Sequence, residues 1–155
     1  MAHNITGSLT VKDHTIAIVV SRFNSTVTQA LASGAEDTFL RHGGNEDDLS
    51  IIWVPGAFEI PAIVKRLTDS EKYDGVLALG ALIKGATPHF DILAQQVTRS
   101  LAWLATQSST PISFGVLTTA TLEQALERAG NKAGNKGAEA MLGLIEMINL
   151  TIQLN

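Results

Sequence analysis

Gly75-Val-Leu-Ala-Leu-Gly-Ala-Leu-Ile-Lys-Gly-Ala-Thr-Pro-His-Phe-Asp91 joins an apolar run of strand length to the start of a helix. Gly75 to Leu79 is the strand. Phe90, Leu93, Val97, Leu101 and Leu104 then recur at helical spacing. Gly80 to His89 is therefore predicted as a strand-to-helix loop holding two glycines, a lysine, a threonine and a histidine. In a parallel α/β sheet, ligands bind on the loops at the carboxyl ends of the strands. Backbone N–H groups at a helix start suit an anion, and a histidine side chain exchanges protons near neutral pH. The combination points to chemistry on a phosphorylated small molecule.

Three further runs repeat this plan. Thr15-Ile-Ala-Ile-Val-Val20 is continuous and largely β-branched, and Val27, Leu31, Ala35 and Phe39 follow it at spacings of four. That helix is predicted to stop at His42-Gly43-Gly44, where glycine supplies the cap. Ser50-Ile-Ile-Trp-Val54 is the second strand, turned by Pro55-Gly56 into a helix with Pro61 in its first turns. Pro111-Ile-Ser-Phe-Gly-Val-Leu117 is the fourth. After it come a short helix from Thr121 to Arg128, a glycine-rich break from Gly130 to Gly137, and a last helix from Ala138 to Leu150. Continuous apolar strands alternating with amphipathic helices predict a four-stranded parallel sheet covered on both faces, a three-layer α/β/α sandwich. An early run, about Ile5 to Val11, predicts an extra N-terminal strand, paired at an edge of the sheet or with another subunit. No linker divides the chain, so residues 1–155 read as a single domain with residues 1–10 as an N-terminal arm.

Composition narrows the class. The formal net charge of −4 argues against a general nucleic-acid binder, which shows a basic patch. No run of about 18 apolar residues occurs, so no membrane-spanning helix is expected. The N-terminus lacks a charged-then-apolar leader, and the expected location is cytoplasmic. With no cysteine there is no thiolate nucleophile and no zinc–sulfur site. Only 17% of residues are charged, against about 25% in typical soluble domains. Such a surface suits either burial against further copies of the chain or a compact, alanine-rich domain.

The residues after each strand face one rim of the sheet. They are Ser21-Arg22-Phe23-Asn24, Pro55-Gly56-Ala57-Phe58-Glu59, the Gly80–Asp91 motif and Thr118-Thr119. His89 is the one histidine on this rim, and its role is either proton transfer or an N-cap hydrogen bond. His3 and His14 lie near the N-terminus without partners, and His42 complements a helix dipole. No histidine pair has i, i+4 spacing, so no metal is expected. Gly85-Ala86-Thr87 offers N–H groups and a hydroxyl to a phosphate, although glycine in a turn is usually only a turn. Gly80 and Gly85 have P-loop spacing, but Ala86-Thr87 follows where such a loop needs lysine, which disfavours nucleotide hydrolysis. Phe23, Phe58 and Phe114 are candidates to stack a planar ring, with core packing the alternative for Phe114. Glu59 either binds ligand or answers a helix dipole. Arg128 and Lys136 flank the glycine-rich break, as helix-end cations or as groups closing on an anion.

Taken in order, Phe23-Asn24, Val54-Pro-Gly-Ala-Phe-Glu-Ile-Pro61, Gly80 through His89, Phe114-Gly-Val-Leu-Thr-Thr119, Arg128 and Gly134-Asn-Lys-Gly137 resemble the 6,7-dimethyl-8-ribityllumazine synthase family. The resemblance runs in register from about Ser8 to Leu150. It implies a flavodoxin-like fold, no cofactor, and condensation of 5-amino-6-(D-ribitylamino)uracil with 3,4-dihydroxy-2-butanone 4-phosphate, the penultimate step of riboflavin synthesis. It implies that Phe23 stacks on the pyrimidine, and that Ala57, Phe58, Glu59, Ala81, Leu82 and Ile83 hold the ring edge and ribityl chain. Ala86, Thr87 and Arg128 would hold the phosphate, and His89 would transfer protons. Phe114, Arg128 and Lys136 would reach the site from a neighbouring subunit.

Family members form pentamers, many of which assemble into icosahedral shells, and some relatives enclose riboflavin synthase. The short Gly130–Gly137 connection is similar to that of the shell-forming members. Two departures stand out: Ala120, where many relatives carry an acidic residue, and Ile92, where an aromatic is frequent. Two rival readings share the fold class. One is a non-catalytic, shell-forming or flavin-binding scaffold, which has no need of His89. The other is an unrelated flavodoxin-like binder of a phosphorylated ligand, which has no reason to carry every block.

Overall fold

The computed structural model describes residues 1–132 and 134–155; Ala133, inside the glycine-rich break, lies outside them. β1 (Ile16–Ser21) leads into α1 (Ser25–Arg41), and β2 (Leu49–Val54) into α2 (Ile60–Asp69). β3 (Gly75–Ile83) leads into α3 (His89–Gln107), and β4 (Ile112–Thr119) into α4 (Leu122–Arg128). α5 (Lys136–Leu154) follows the glycine-rich break. All strand pairings are parallel and the order is β2-β1-β3-β4.

Alternation along the strands builds two cores. Ile16, Ile18 and Val20 of β1, with Leu77, Leu79 and Ala81 of β3, pack with Leu31, Phe39, Leu144 and Ile148 of α1 and α5. Val19, Val76, Ala78 and Leu82 point the other way, to Ile60 and Val64 of α2 and Val97 and Leu101 of α3. The central strands β1 and β3 are thus buried on both faces, which is why they read as unbroken apolar runs, while the edge strands β2 and β4 are only partly buried. A right-handed crossover from β1 to β2, and another back from β2 past β1 to β3, leave their helices on opposite faces. That is the arrangement found.

Besides α5, which runs from Lys136 to Leu154 rather than from Ala138 to Leu150, two boundaries differ from the sequence reading. β3 continues through Gly80 to Ile83, pairing Gly80 with Val116 and Ile83 with Thr119, so the loop itself is only Lys84 to Pro88. Gly80 reads as a turn signal, yet it serves close packing. A Cβ there would lie 2.9 Å from Ser21 Oγ and 3.2 Å from Ile60 Cδ1.

The early segment is the second difference. The pairing at an edge of this sheet is not made: among the described residues the early run joins no strand of its own chain, and residues 1–10 lie as an arm along α5. The Asn149 amide donates to the carbonyls of Ser8 at 2.8 Å and Thr10 at 2.7 Å, and Gln153 Nε2 donates to Thr6 O at 2.7 Å. Helix side chains thus engage the carbonyls of Thr6, Ser8 and Thr10. The arm is anchored where Val11, fully buried, donates its N–H to His42 O at 2.9 Å.

The arm and the core are expected to fail separately. Asn149→Ala removes two arm contacts and should speed trypsin cleavage after Lys12 under native conditions, with little effect on the urea midpoint. Phe39→Ala empties a fully buried ring site and is expected to cost about 3–5 kcal/mol in the same urea titration.

Candidate active site

The strand order reverses direction at β1, so the chain leaves the carboxyl ends of β1 and β3 toward opposite faces and opens a crevice there. Local hydrogen bonds fix its walls. Arg22 N donates to Val54 O at 2.8 Å and Phe23 N to Pro55 O at 3.2 Å, tying the loop after β1 to the loop after β2. Asn24 adopts the left-handed conformation, φ 62° and ψ 48°, at the start of α1. Its Nδ2 spans the crevice to donate to Ala81 O at 2.8 Å. Lys84 N donates to Thr119 O at 2.9 Å and joins the ends of β3 and β4.

On this frame Phe23 and Phe58 project outward, 71% and 74% exposed. Neither is a core residue. Ala57 to Glu59 form a 3₁₀ turn that opens α2, with Ala57 buried and Glu59 at the helix N-cap without a side-chain capping bond. Ala81 and Leu82 are buried within β3, and Ile83 is half-buried; Ala81 presents its carbonyl to Asn24.

Lys84 through His89 are all exposed, and a Cβ at Gly85 would meet nothing within 4 Å. The loop is thus open to a ligand from outside. α3 begins at His89 behind Pro88, with no side-chain cap. The N-cap role considered for His89 is not formed, and among the described residues no group bonds its ring. The first N–H groups of α3 lack helical acceptors and face the same loop as Ala86 and Thr87, an arrangement that suits an oxyanion.

Phe114, Arg128 and Lys136 form a second cluster. With Gly115 to Thr119, Glu139 and Ala140 they line a cavity of about 460 Å³, whose walls include none of the Lys84–His89 loop. Arg128 Nη1 donates to Gln124 O at 3.0 Å. Lys136 Nζ lies 3.2 Å from Glu139 Oε2 in an exposed pair, which constrains it little. Phe114 is 45% exposed. The three residues expected to hold phosphate are accordingly divided, Ala86 and Thr87 on the rim loop and Arg128 at the β4 side.

A further cavity of about 580 Å³ separates α3 from the end of β4, lined by Lys84, Asp91, Arg99, Thr118 and Ala120 among others. Ala120 thus borders open space, and Ile92 is 62% exposed. Among the described residues no group of three or more His, Cys, Asp and Glu side chains could hold a metal.

Sequence reasoning quoted Asn24 without a role and passed over Gln124. The latter accepts from Ala120 N at 2.9 Å through Oε1 while its carbonyl holds Arg128. The Thr121-x-x-Gln124 spacing, a helix-start signature, was the available signal: Thr121 Oγ1 accepts from Gln124 N at 3.1 Å.

A doubly wound parallel sheet with exposed aromatics, a histidine and an anion-suited loop at its switch point defines a small-molecule enzyme of the flavodoxin-like α/β class. Comparison with known proteins gives the family. The family model described as 6,7-dimethyl-8-ribityllumazine synthase matches residues 13–151. The chain is 56% identical over 147 residues to the protein of that name from Campylobacter lari, covering 94% of each. It is 55% identical over 147 residues to the one from Nautilia profundicola, covering 94% of this chain and 96% of that one. With the one from Campylobacter jejuni subsp. doylei it shares 52% identity over 151 residues, 97% and 98% of the two chains. This chain belongs to the 6,7-dimethyl-8-ribityllumazine synthase family.

The Asn24 bridge has a measurable consequence. Asn24→Ala loses the bond to Ala81 and places a Cβ residue without a compensating side chain in the left-handed region, for an expected cost of about 1–3 kcal/mol. Asn24→Gly keeps the backbone comfortable and should cost less. Urea unfolding of the two variants checks the order.

Proposed function

We propose that this chain is a transferase that condenses 5-amino-6-(D-ribitylamino)uracil with 3,4-dihydroxy-2-butanone 4-phosphate. The products are 6,7-dimethyl-8-ribityllumazine, phosphate and water, in the penultimate step of riboflavin biosynthesis. The observation that carries the reading is a family match over residues 13–151 that coincides with an open rim holding His89, Phe23, Phe58 and the Gly85–Thr87 loop.

The chemistry asks for proton transfers and orientation rather than a covalent nucleophile. An amine of the uracil adds to the ketone, and loss of water gives an imine. Phosphate then leaves by elimination, and the second amine closes the ring with loss of a further water. Phe23 stacks on the pyrimidine, while Ala57, Phe58, Glu59 and the end of β3 (Ala81, Leu82 and Ile83) border the ring and ribityl chain. Ala86, Thr87 and the start of α3 receive the phosphate. His89, exposed and unbonded beside them, moves the protons.

Arg128, Phe114 and Lys136 complete the site from a second copy of the chain. Phe114 lies about 16 Å back along β4 from Thr119, at about 3.3 Å per residue, so it stands away from the rim of its own sheet. Its cavity lies on the β4 side, reaching the rim at Thr118 and Thr119 but including none of the Lys84–His89 loop. A homo-oligomer, a pentamer assembled into an icosahedral shell, brings the two halves together. The exposed Ile92, Trp103 and Phe114 supply apolar surface for such contacts. No helix among the described residues is long and apolar enough to cross a membrane, in keeping with a cytoplasmic enzyme. A purely structural shell would have no use for His89, the open loop and the Arg128–Lys136 pair together.

Mixing the two substrates with the purified protein and following lumazine fluorescence alongside phosphate release tests the reading. Both signals should rise together above the uncatalysed rate. His89→Ala is expected to lower kcat by about 10²–10⁴-fold while leaving the rate above background, because oriented binding survives. A variant matching the unsubstituted protein would remove His89 from the mechanism. Arg128→Ala should raise KM for the butanone phosphate more than for the uracil, since a charge-assisted clamp is lost.

A further inference from the structure

We propose that Asn135 is a positioning residue for Arg128, the phosphate cation, and for Lys136 beside it, setting the two in register through a clamp on α1. The proposal rests on the reading above that Arg128 holds phosphate.

Arg128 ends α4 and Lys136 begins α5, with the glycine-rich break between them. Their side chains have only weak anchors of their own, one carbonyl in the same helix turn and one exposed carboxylate. What brings the two helix ends together is the side chain of Asn135. Its Oδ1 accepts from Ala138 N at 3.0 Å and caps α5. Its Nδ2 donates to Ala129 O, next to Arg128, at 3.2 Å, and to Ala30 O in α1 at 2.9 Å. Both amide hydrogens and the oxygen are therefore used, each on a different element: the end of α4, the first turn of α5, and α1. Ala129 and Asn135 also form an isolated antiparallel bridge that closes the break at its base.

α1 is shaped to receive this amide. Gly34 lies in the middle of a long helix, a position where glycine is disfavoured. A Cβ there would fall inside the Asn135 carboxamide. The glycine makes the space that the clamp fills. α1 contributes no residue to the cavity lined by Phe114, Arg128 and Lys136, yet through Asn135 it determines where both cations stand.

The test uses the full-length assembled protein, with inorganic phosphate as a competitive probe against the butanone phosphate. Asn135→Ser keeps a capping hydroxyl and loses both donors, and Asn135→Asp keeps the shape and cap but turns an acceptor toward two carbonyls. Gly34→Ala leaves Asn135 in the sequence, raises helix propensity and displaces the amide from α1. Each is expected to raise the phosphate inhibition constant and KM for the butanone phosphate about tenfold, the scale of one or two lost hydrogen bonds. KM for the uracil and kcat should change less. Combined with Arg128→Ala, Asn135→Ser should add nothing to the phosphate effect, the mark of one coupled unit. If Arg128→Ala weakens phosphate inhibition while Asn135→Ser and Gly34→Ala do not, or if the effects simply add, Asn135 serves folding alone and the proposal falls. If Arg128→Ala itself leaves phosphate inhibition unchanged, the phosphate role of Arg128 fails first and takes the clamp with it.

Discussion

β3 is the constraint to which the rest of the structure refers. It is hydrogen-bonded to β1 on one side and β4 on the other, and from Gly75 to Leu82 it is buried on both faces. A strand so placed leaves few degrees of freedom. Leu77 and Leu79 set the depth of the α1/α5 core, and Val76 and Ala78 that of the α2/α3 core. Gly80 admits Ser21 and Ile60 so closely that β1, β3 and α2 meet without a gap. The loop that follows inherits its position from this packing, and so does the start of α3.

The rim shows how a rigid frame presents adaptable groups. Backbone bonds from Arg22, Phe23 and Lys84, and the Asn24 amide, tie down the chain nearest the sheet, leaving the buried Ser21 Oγ without a partner among the described residues. The groups left outside are two phenylalanine rings, an unbonded histidine ring and a loop whose glycine faces open space. An apolar ring exposed by more than two thirds gains little from folding the single chain. Its energetic return comes from a bound ligand or a neighbouring copy. On the β4 side the same logic applies to Phe114, which shares its cavity with two cations and no histidine.

Much of this was legible along the chain. β1 and β3 announce themselves because burial on both faces leaves no polar alternation, and β2 and β4 by their apolar, β-branched runs. The helix residues Val27, Leu31, Ala35 and Phe39 are all in the core as their spacing requires. Thr121 and the glycines after His42 mark helix ends through their own local chemistry. The rim residues were legible for a related reason: in a parallel sheet, whatever follows a strand lies at the carboxyl edge. The length of β3 was misread because a glycine chosen for close packing looks the same in sequence as a glycine chosen for a turn.

The sequence by itself determined the layer order, the strands and helices, the rim composition and the family, since these depend on short-range periodicity and on residues in a fixed order. Tertiary structure decided what depends on groups far apart in the chain. That the first ten residues lie along α5 rather than at an edge of their own sheet goes with Asn149 and Gln153, whose amides reach their carbonyls from α5. Phe114 and Arg128 line a cavity on the β4 side that includes none of Phe23, Phe58 and His89, a grouping set by how β4, α4 and α5 pack. The link from Gly34 through Asn135 to the two cations spans most of the chain and has no periodic trace. A hydrogen bond between distant segments needs two partners brought together by packing, and only the folded chain reveals which two.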